Sequence, residues 1–279
     1  MITIILLIVN ITFIFLFLLC LIAPGRSTPQ MRAPFINRNI AHRGLHTKDK
    51  VIPENSMAAF QSAISNNYGI ELDLQLTKDE QVIIFHDDYL KRVCGVDGRV
   101  DEYTYKELLQ FSLCSTKEKI PLFKDFLALV DGNVPLVVEL KNGRNNDLLC
   151  DKTYQYLKEY NGDYCIESFQ PLILAWFKRN APHILRGQLS AGPEEFKGQL
   201  KRYQAFGLSR LLTNFVTRPH FISYHKVKRS WLVKLCEAMG AMKAVWTIRD
   251  TDDISYFEKS NDIVIFEFYH PAERIKKKG

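Results

Sequence analysis

Between Ile40 and Asp87 the chain concentrates residues that can do chemistry: His42-Arg43, Glu54, Glu71 with Asp73, and His86-Asp87. They sit at the ends of short apolar runs. Imidazoles can take up and return protons near neutral pH. An arginine can neutralise a phosphate oxygen, and clustered carboxylates can hold a hard divalent cation. Together these groups suit metal-assisted attack on a phosphate ester. In Ile70–Leu76 the apolar Ile70, Leu72, Leu74 and Leu76 alternate with Glu71, Asp73 and Gln75. A strand with this pattern puts Glu71 and Asp73 on one face, opposite the leucines. Two carboxylates turned into a barrel interior are unfavourable unless a cation binds them. Glu139, at the end of the run beginning Leu136-Val137-Val138, would complete an all-oxygen site for Mg2+ or Ca2+. Taken singly, the Glu-x-Asp pair reads as a solvated strand face. A histidine after a strand reads as a surface or core residue, and Lys141 as a solvated lysine. Their recurrence in order at successive strand ends is what argues for a site.

The elements that must position these groups follow from the apolar pattern. Strands are expected at Asn39, Ile70, Leu136, Cys165, Ile184, Phe221, Ala244 and Ile263, with a further short run at Val82–Phe85. Helical patterns lie between them, among them 55–66 with Asn55 as N-cap, Pro171–Asn180 and Pro193–Phe206. Strands alternating with helices imply a parallel sheet, and eight such units suggest a closed (β/α)8 TIM-type barrel. The stretch from Arg92 to Ile120 reads as a small insertion after the second strand. In such a barrel the C-terminal strand ends form the catalytic mouth, which is where the polar groups fall.

Ala41-His42-Arg43-Gly44, Pro53-Glu54-Asn55-Ser56, Gly69-Ile70-Glu71-Leu72-Asp73-Leu74-Gln75-Leu76-Thr77 and His86-Asp87 together resemble the glycerophosphodiester phosphodiesterase family. Pro121-Leu122, Val138-Glu139-Leu140-Lys141, Ser168-Phe169 and Trp246-Thr247 continue the likeness in order. The resemblance implies a TIM-type barrel that hydrolyses glycerophosphodiesters to glycerol 3-phosphate and an alcohol with a divalent cation. It implies that Glu71, Asp73 and Glu139 hold the metal, that His42 and His86 are the acid/base pair, and that Arg43 and Lys141 grip the phosphate. Glu54 would orient these groups or bind near the metal. Trp246 reads equally as a packing residue and as a wall of the substrate pocket. The last strand departs from the family's Thr-Asp-x-Pro-like ending and reads Ile265-Phe266-Glu267-Phe268-Tyr269-His270-Pro271. That departure bears on the rim of the pocket, not on the metal site.

Residues Ile2 to Ala23 are almost wholly apolar and carry no charge. A helix of about this length spans roughly 30 Å, enough to cross a hydrocarbon core. No basic residue precedes the run, so it reads as a transmembrane anchor (1–24) rather than a signal peptide. Residues 25–38 read as a tether and 39–279 as the barrel domain. Arg26, Arg32 and Arg38 follow the run with no acid before Asp49, which places the barrel in the cytoplasm. Six scattered cysteines without a CxxC pair agree with a reducing compartment. The net charge of +6 has no long basic block apart from Lys276-Lys277-Lys278, so no nucleic-acid partner is expected. The expected partners are the membrane and a small-molecule or lipid phosphodiester. Two alternatives stand beside this reading. One is a lysophospholipase D-like enzyme whose anchor holds the mouth near the bilayer. The other is an inactive membrane-tethered barrel that serves as a binding protein; loss of a ligand or a histidine would mark it, and none is lost.

Overall fold

The structure, a computed structural model, describes residues 1–198, 200–272 and 274. The chain begins with helix α1 (Ile2–Ile22) and a short turn of helix, α2 (Pro29–Arg32). Then come β1 (Arg38–Ala41), α3 (Met57–Ser65), β2 (Gly69–Leu76) and β3 (Val82–Ile84). Two short helices, α4 (Lys91–Cys94) and α5 (Tyr105–Leu108), lead to α6 (Phe123–Val130). From there strands and helices alternate: β4 (Leu136–Leu140), α7 (Asn146–Leu157), β5 (Tyr164–Ser168), α8 (Pro171–Asn180) and β6 (Leu185–Ser190). Next are α9 (Arg202–Ser209), α10 (Asn214–Thr217), β7 (Phe221–His225) and α11 (Trp231–Ala238). The barrel ends with β8 (Met242–Ile248), α12 (Ile254–Ser260) and β9 (Ile263–Phe266).

Eight parallel strands close the barrel in the order β1, β2, β4, β5, β6, β7, β8, β9, and β9 pairs back onto β1. The short run at Val82 is not a barrel strand. It is β3, antiparallel to β2, and it carries the insertion between the second and third barrel strands outward. Alternation along each strand divides the core. Ile70, Leu72, Leu136, Val138 and Ile166 face the helices. Val137, Cys165, Leu185, Phe221, Met242 and Ile263 fill the inside of the barrel near the N-terminal strand ends.

Three local expectations change. Asn55 is not the N-cap of α3. Ser56 is, accepting a hydrogen bond from the Ala59 amide at 3.1 Å, and Asn55 is left free for another partner. The helix expected over Pro193–Phe206 splits into a 3-10 turn at Pro193–Phe196 and α9, because Gly198 takes a left-handed φ of 82° that no helix continues through. Residues 25–38 do not hang free of the barrel. Phe35 is 2 % exposed and closes the barrel floor among Ile40, Phe221, Met242 and Ile263. Phe35→Ala should cost about 3–5 kcal/mol by opening a cavity there; denaturant unfolding of the full chain in detergent would measure it.

Helix α1 is the one helix among the described residues long and apolar enough to cross a membrane. Only its last turn touches the barrel. Ile22 is fully buried with Leu211, Ile222, Tyr224 and Val233. Its carbonyl accepts from Asn214 at 3.1 Å, and Arg218 caps the carbonyls of Cys20 and Ala23 at 2.8 and 3.1 Å. These contacts satisfy the acceptors that a helix C-terminus leaves open. The helix therefore joins near the N-terminal end of β7, at the end of the barrel opposite the mouth.

Candidate active site

The strand register builds the site. Asp73 on β2 stands beside Glu139 on β4, and Glu139 beside Glu167 on β5. Neighbouring strands are about 4.8 Å apart, so three carboxylates share one layer at the top of the barrel interior. Glu71 points inward two residues below Asp73. All four are buried. Glu71, Asp73 and Glu139 each offer an oxygen within 4.8 Å of the others. Burial, then the charges of Asp73, Glu139 and Glu167, raise the Glu71 carboxyl well above its ordinary value. Burial and Glu139 push Glu167 up to about 8. Burial also raises Glu139, against the pull of Lys141. Asp73 goes the other way: burial opposes its ionisation, but Lys141, His86, Arg43 and a hydrogen bond from Asn55 at 2.8 Å outweigh it.

Two cations fold onto this acid cluster. Lys141 Nζ lies 2.9 Å from Glu139 Oε1 and 3.3 Å from Asp73 Oδ1. Arg43 Nε lies 3.4 Å from Asp73 Oδ2, and the Arg43 amide donates to Glu71 Oε2 at 2.9 Å. Arg43 holds a left-handed φ of 54°, a strained conformation for a residue with a side chain. The turn brings its amide and its guanidinium to bear on neighbouring carboxylates. Four carboxyl groups crowd against two cations, and Asp73 Oδ1, 3.3 Å from Lys141 Nζ, makes no well-aligned hydrogen bond. The donor set is all oxygen and buried, so a hard divalent cation fits the Glu71, Asp73 and Glu139 group.

Each histidine is held by a carboxylate that is itself held by an arginine. His42 Nδ1 is 3.0 Å from Glu267 Oε2, and Glu267 accepts from Arg249. Burial and the nearby Arg43 lower His42 to about 4, so it stays neutral, with Nδ1–H donating to Glu267 and Nε2 free. His46 also lies close, its Nε2 3.6 Å from the same Glu267 oxygen. On the other side His86 Nδ1 is 2.6 Å from Asp87 Oδ1. Asp87 pairs with Arg92 at 2.6 Å, and Arg92 grips both oxygens of Glu54 at 2.7 Å. Glu54 in turn accepts from Arg43 at 2.6 Å. Burial alone would raise Glu54; the two arginines bring it down to about 2. A continuous charged chain thus runs from His86 to Arg43 across the rim.

The chain matches the model of the glycerophosphoryl diester phosphodiesterase family over residues 42–267. It belongs to this family. A glycerophosphodiester phosphodiesterase of Caldanaerobacter subterraneus subsp. tengcongensis is 30% identical over 233 residues, covering 79% of this chain and 89% of that protein. A lysophospholipase D of Homo sapiens is 35% identical over 143 residues, 47% of this chain and 44% of its own length. Among solved structures, a phosphodiesterase of Oleispira antarctica in complex with sn-glycerol 3-phosphate superposes with a TM-score of 0.69 at 23% identity, covering 86% of this chain and 96% of that one.

Against that family frame, the mouth brings together His42, Arg43, Glu71, His86 and Glu139, with Phe169, Leu189 and Trp246 as an apolar wall. Lys141 reaches the same carboxylates from the side of β4. Glu54 stands one step back, between Arg43 and Arg92. The Trp246 indole N–H donates to the Ser223 carbonyl at 3.0 Å, and its ring packs on Phe169 at the edge of the cleft. Sequence reasoning missed Asn55, Arg92, Glu167, Arg249 and the partner role of Glu267. Glu167 and Glu267 carried a readable signal, since each is an acid on or just past an apolar strand. Arg92 and Arg249 carried none, because both come from loops or short helices whose path the strand pattern does not fix.

Proposed function

We propose that the chain hydrolyses glycerophosphodiesters to glycerol 3-phosphate and an alcohol, with Mg2+ or Ca2+ held by Glu71, Asp73 and Glu139. The observation that carries this reading is the buried carboxylate layer of a family member flanked by two oriented histidines in one mouth. The bound cation would polarise the phosphate and offset the charge that builds on its non-bridging oxygens. Arg43 and Lys141, both at the carboxylate layer, would stabilise the same charge on the phosphate oxygens. Glu267 and Asp87 fix the Nδ1 side of the two imidazoles, which leaves each Nε2 for proton transfer. One Nε2 takes the proton of the attacking hydroxyl as its oxygen bonds to phosphorus. The other gives a proton to the alkoxide as the P–O bond breaks. The attacking oxygen is that of water, directly or after the substrate's own glycerol hydroxyl has closed a cyclic phosphate.

The full chain in detergent should release glycerol 3-phosphate from glycerophosphocholine, and EDTA should abolish the release until Mg2+ or Ca2+ is restored. Turnover that persists in EDTA would remove the cation from the reading. A second substrate class, lysophospholipids, is favoured by the apolar wall of Phe169, Leu189 and Trp246 beside the charged cleft; the same assay with a lysolipid separates the two. We also read α1 as a membrane span with the barrel on the cytoplasmic side, a reading supported by its length and by Arg26, Arg32 and Arg38 after it.

A further inference from the structure

The outer helices of the barrel carry their charge unevenly. From Phe196 to Cys236 the chain has nine Lys and Arg and no Asp or Glu, although the whole chain has 37 basic and 31 acidic residues. This run makes α9, α10, β7 and most of α11. Its ion pairs among the described residues are Lys226 with Asp252 and Arg229 with Glu237, and His225 faces Glu195 at the mouth-side edge. Lys197, Lys201, Arg202, Lys228 and Lys234 are exposed and join no such pair. Outside α1, six aromatic side chains are exposed among the described residues, and four of them lie in this run: Tyr203, Phe206, Phe215 and Trp231.

The basic and aromatic groups meet in one place. A groove of about 290 Å³ between α9 and α11 is lined by Arg210, Tyr224, Lys228 and Trp231. The Arg210 guanidinium stacks 4.0 Å above the Phe206 ring. Tyr224 lines the groove and also belongs to the apolar cluster that includes Ile22, so one packed cluster runs along this flank from the groove to the end of α1. The groove lies toward the mouth-side ends of β6 and β7, the seat of α1 lies toward the other end of the same flank, and α1 itself projects free of the barrel for all but its last turn.

We propose that this α9–α11 flank rests on an anionic bilayer, with a lipid phosphate in the groove between Arg210 and Lys228. The proposal rests on reading α1 as a membrane span and is independent of the chemistry in the mouth. A span seated on α10 and α11 places one end of this flank at the lipid surface, and the basic and aromatic groups lie along the rest of it. Each Lys or Arg held near an anionic leaflet contributes about 1 kcal/mol, and exposed aromatic rings favour the headgroup level. A second copy of the chain fits worse. A two-fold contact through this flank would set its unpaired lysines and arginines against the same set on the partner. Held this way, the barrel lies on its side and its mouth opens along the membrane surface.

The test uses the full chain in nanodiscs of brominated phosphatidylcholine, with or without brominated phosphatidylglycerol. In the anionic discs Trp231 emission should be quenched. The loss should vanish in Trp231→Phe, and it should fall sharply in the Arg210→Glu/Lys228→Glu double variant. In zwitterionic discs the Trp231 component should be largely unquenched. An unchanged melting temperature shows that the variants are folded, and it does not depend on whether the diesterase reading holds. Trp231 quenching that is absent in both discs, as when the flank meets a protein or a second copy, would overturn the proposal. Equal quenching in both discs would overturn it as well.

Discussion

Glu71→Gln is expected to lose divalent-cation binding and about a thousandfold in kcat/KM, and to leave the metal-free protein no less stable than its parent. The two halves have one cause. Glu71 is 2 % exposed, and burial together with Asp73, Glu139 and Glu167 raises its carboxyl well above the ordinary range. A carboxylate whose folded pKa lies above its unfolded value of about 4.3 costs stability as the pH rises past that value. Glutamine carries no such cost, so the stability difference between the EDTA-treated proteins should favour the variant and widen from pH 5 towards pH 8. The amide oxygen can still accept from the Arg43 backbone, which keeps the turn after β1 in place. What glutamine cannot supply is the charge that balances a divalent cation, and the several kcal/mol the cation gives to charge stabilisation goes with it. Calorimetric titration with Ca2+ and Mg2+, thermal melts with and without EDTA, and steady-state rates would measure all three. Parent-like turnover with unchanged cation dependence would take Glu71 out of the metal site.

The second large effect separates proton transfer from metal binding. His86→Ala should lower kcat by about 10²–10⁴, the usual worth of a positioned acid or base. It should keep the rise in melting temperature that the cation gives, because His86 bonds to Asp87 and not to the Glu71, Asp73 and Glu139 group. Asp87 and Arg92 remain paired without it, so the chain through Glu54 to Arg43 survives. Near-normal rates would remove His86 from the chemistry. A parallel loss of cation response would mean that the imidazole supports the metal layer instead.

The inward and outward faces of the strands were legible at Ile70–Leu76, because a strand turns successive side chains to opposite sides. The leucines do face the helices, and Glu71 and Asp73 do face the interior. Asn55 shows the limit of that kind of reading. Its type and position suit an N-cap, and the next residue, Ser56, suits one equally well. Only the path of the loop decides that Ser56 caps α3 while Asn55 turns its amide to Asp73. The departure at Glu267 shows the same limit. In the sequence it marks only an atypical last strand; in the fold it ends the strand next to β1, within reach of His42.

Local patterning sufficed for the barrel, for the apolar helix ahead of it, and for most of the side chains gathered at the mouth. Those depend on local periodicity and on which residues end each strand. Strand register and barrel closure decided which side chains meet: Glu167 beside Glu139, Glu267 against His42, and Arg92 bridging Glu54 to Asp87. The tertiary structure also decided that Phe35 plugs the floor and that α1 enters beside a basic flank. These contacts join residues far apart in the chain, and their distances follow from strand register and barrel closure, which no local pattern encodes.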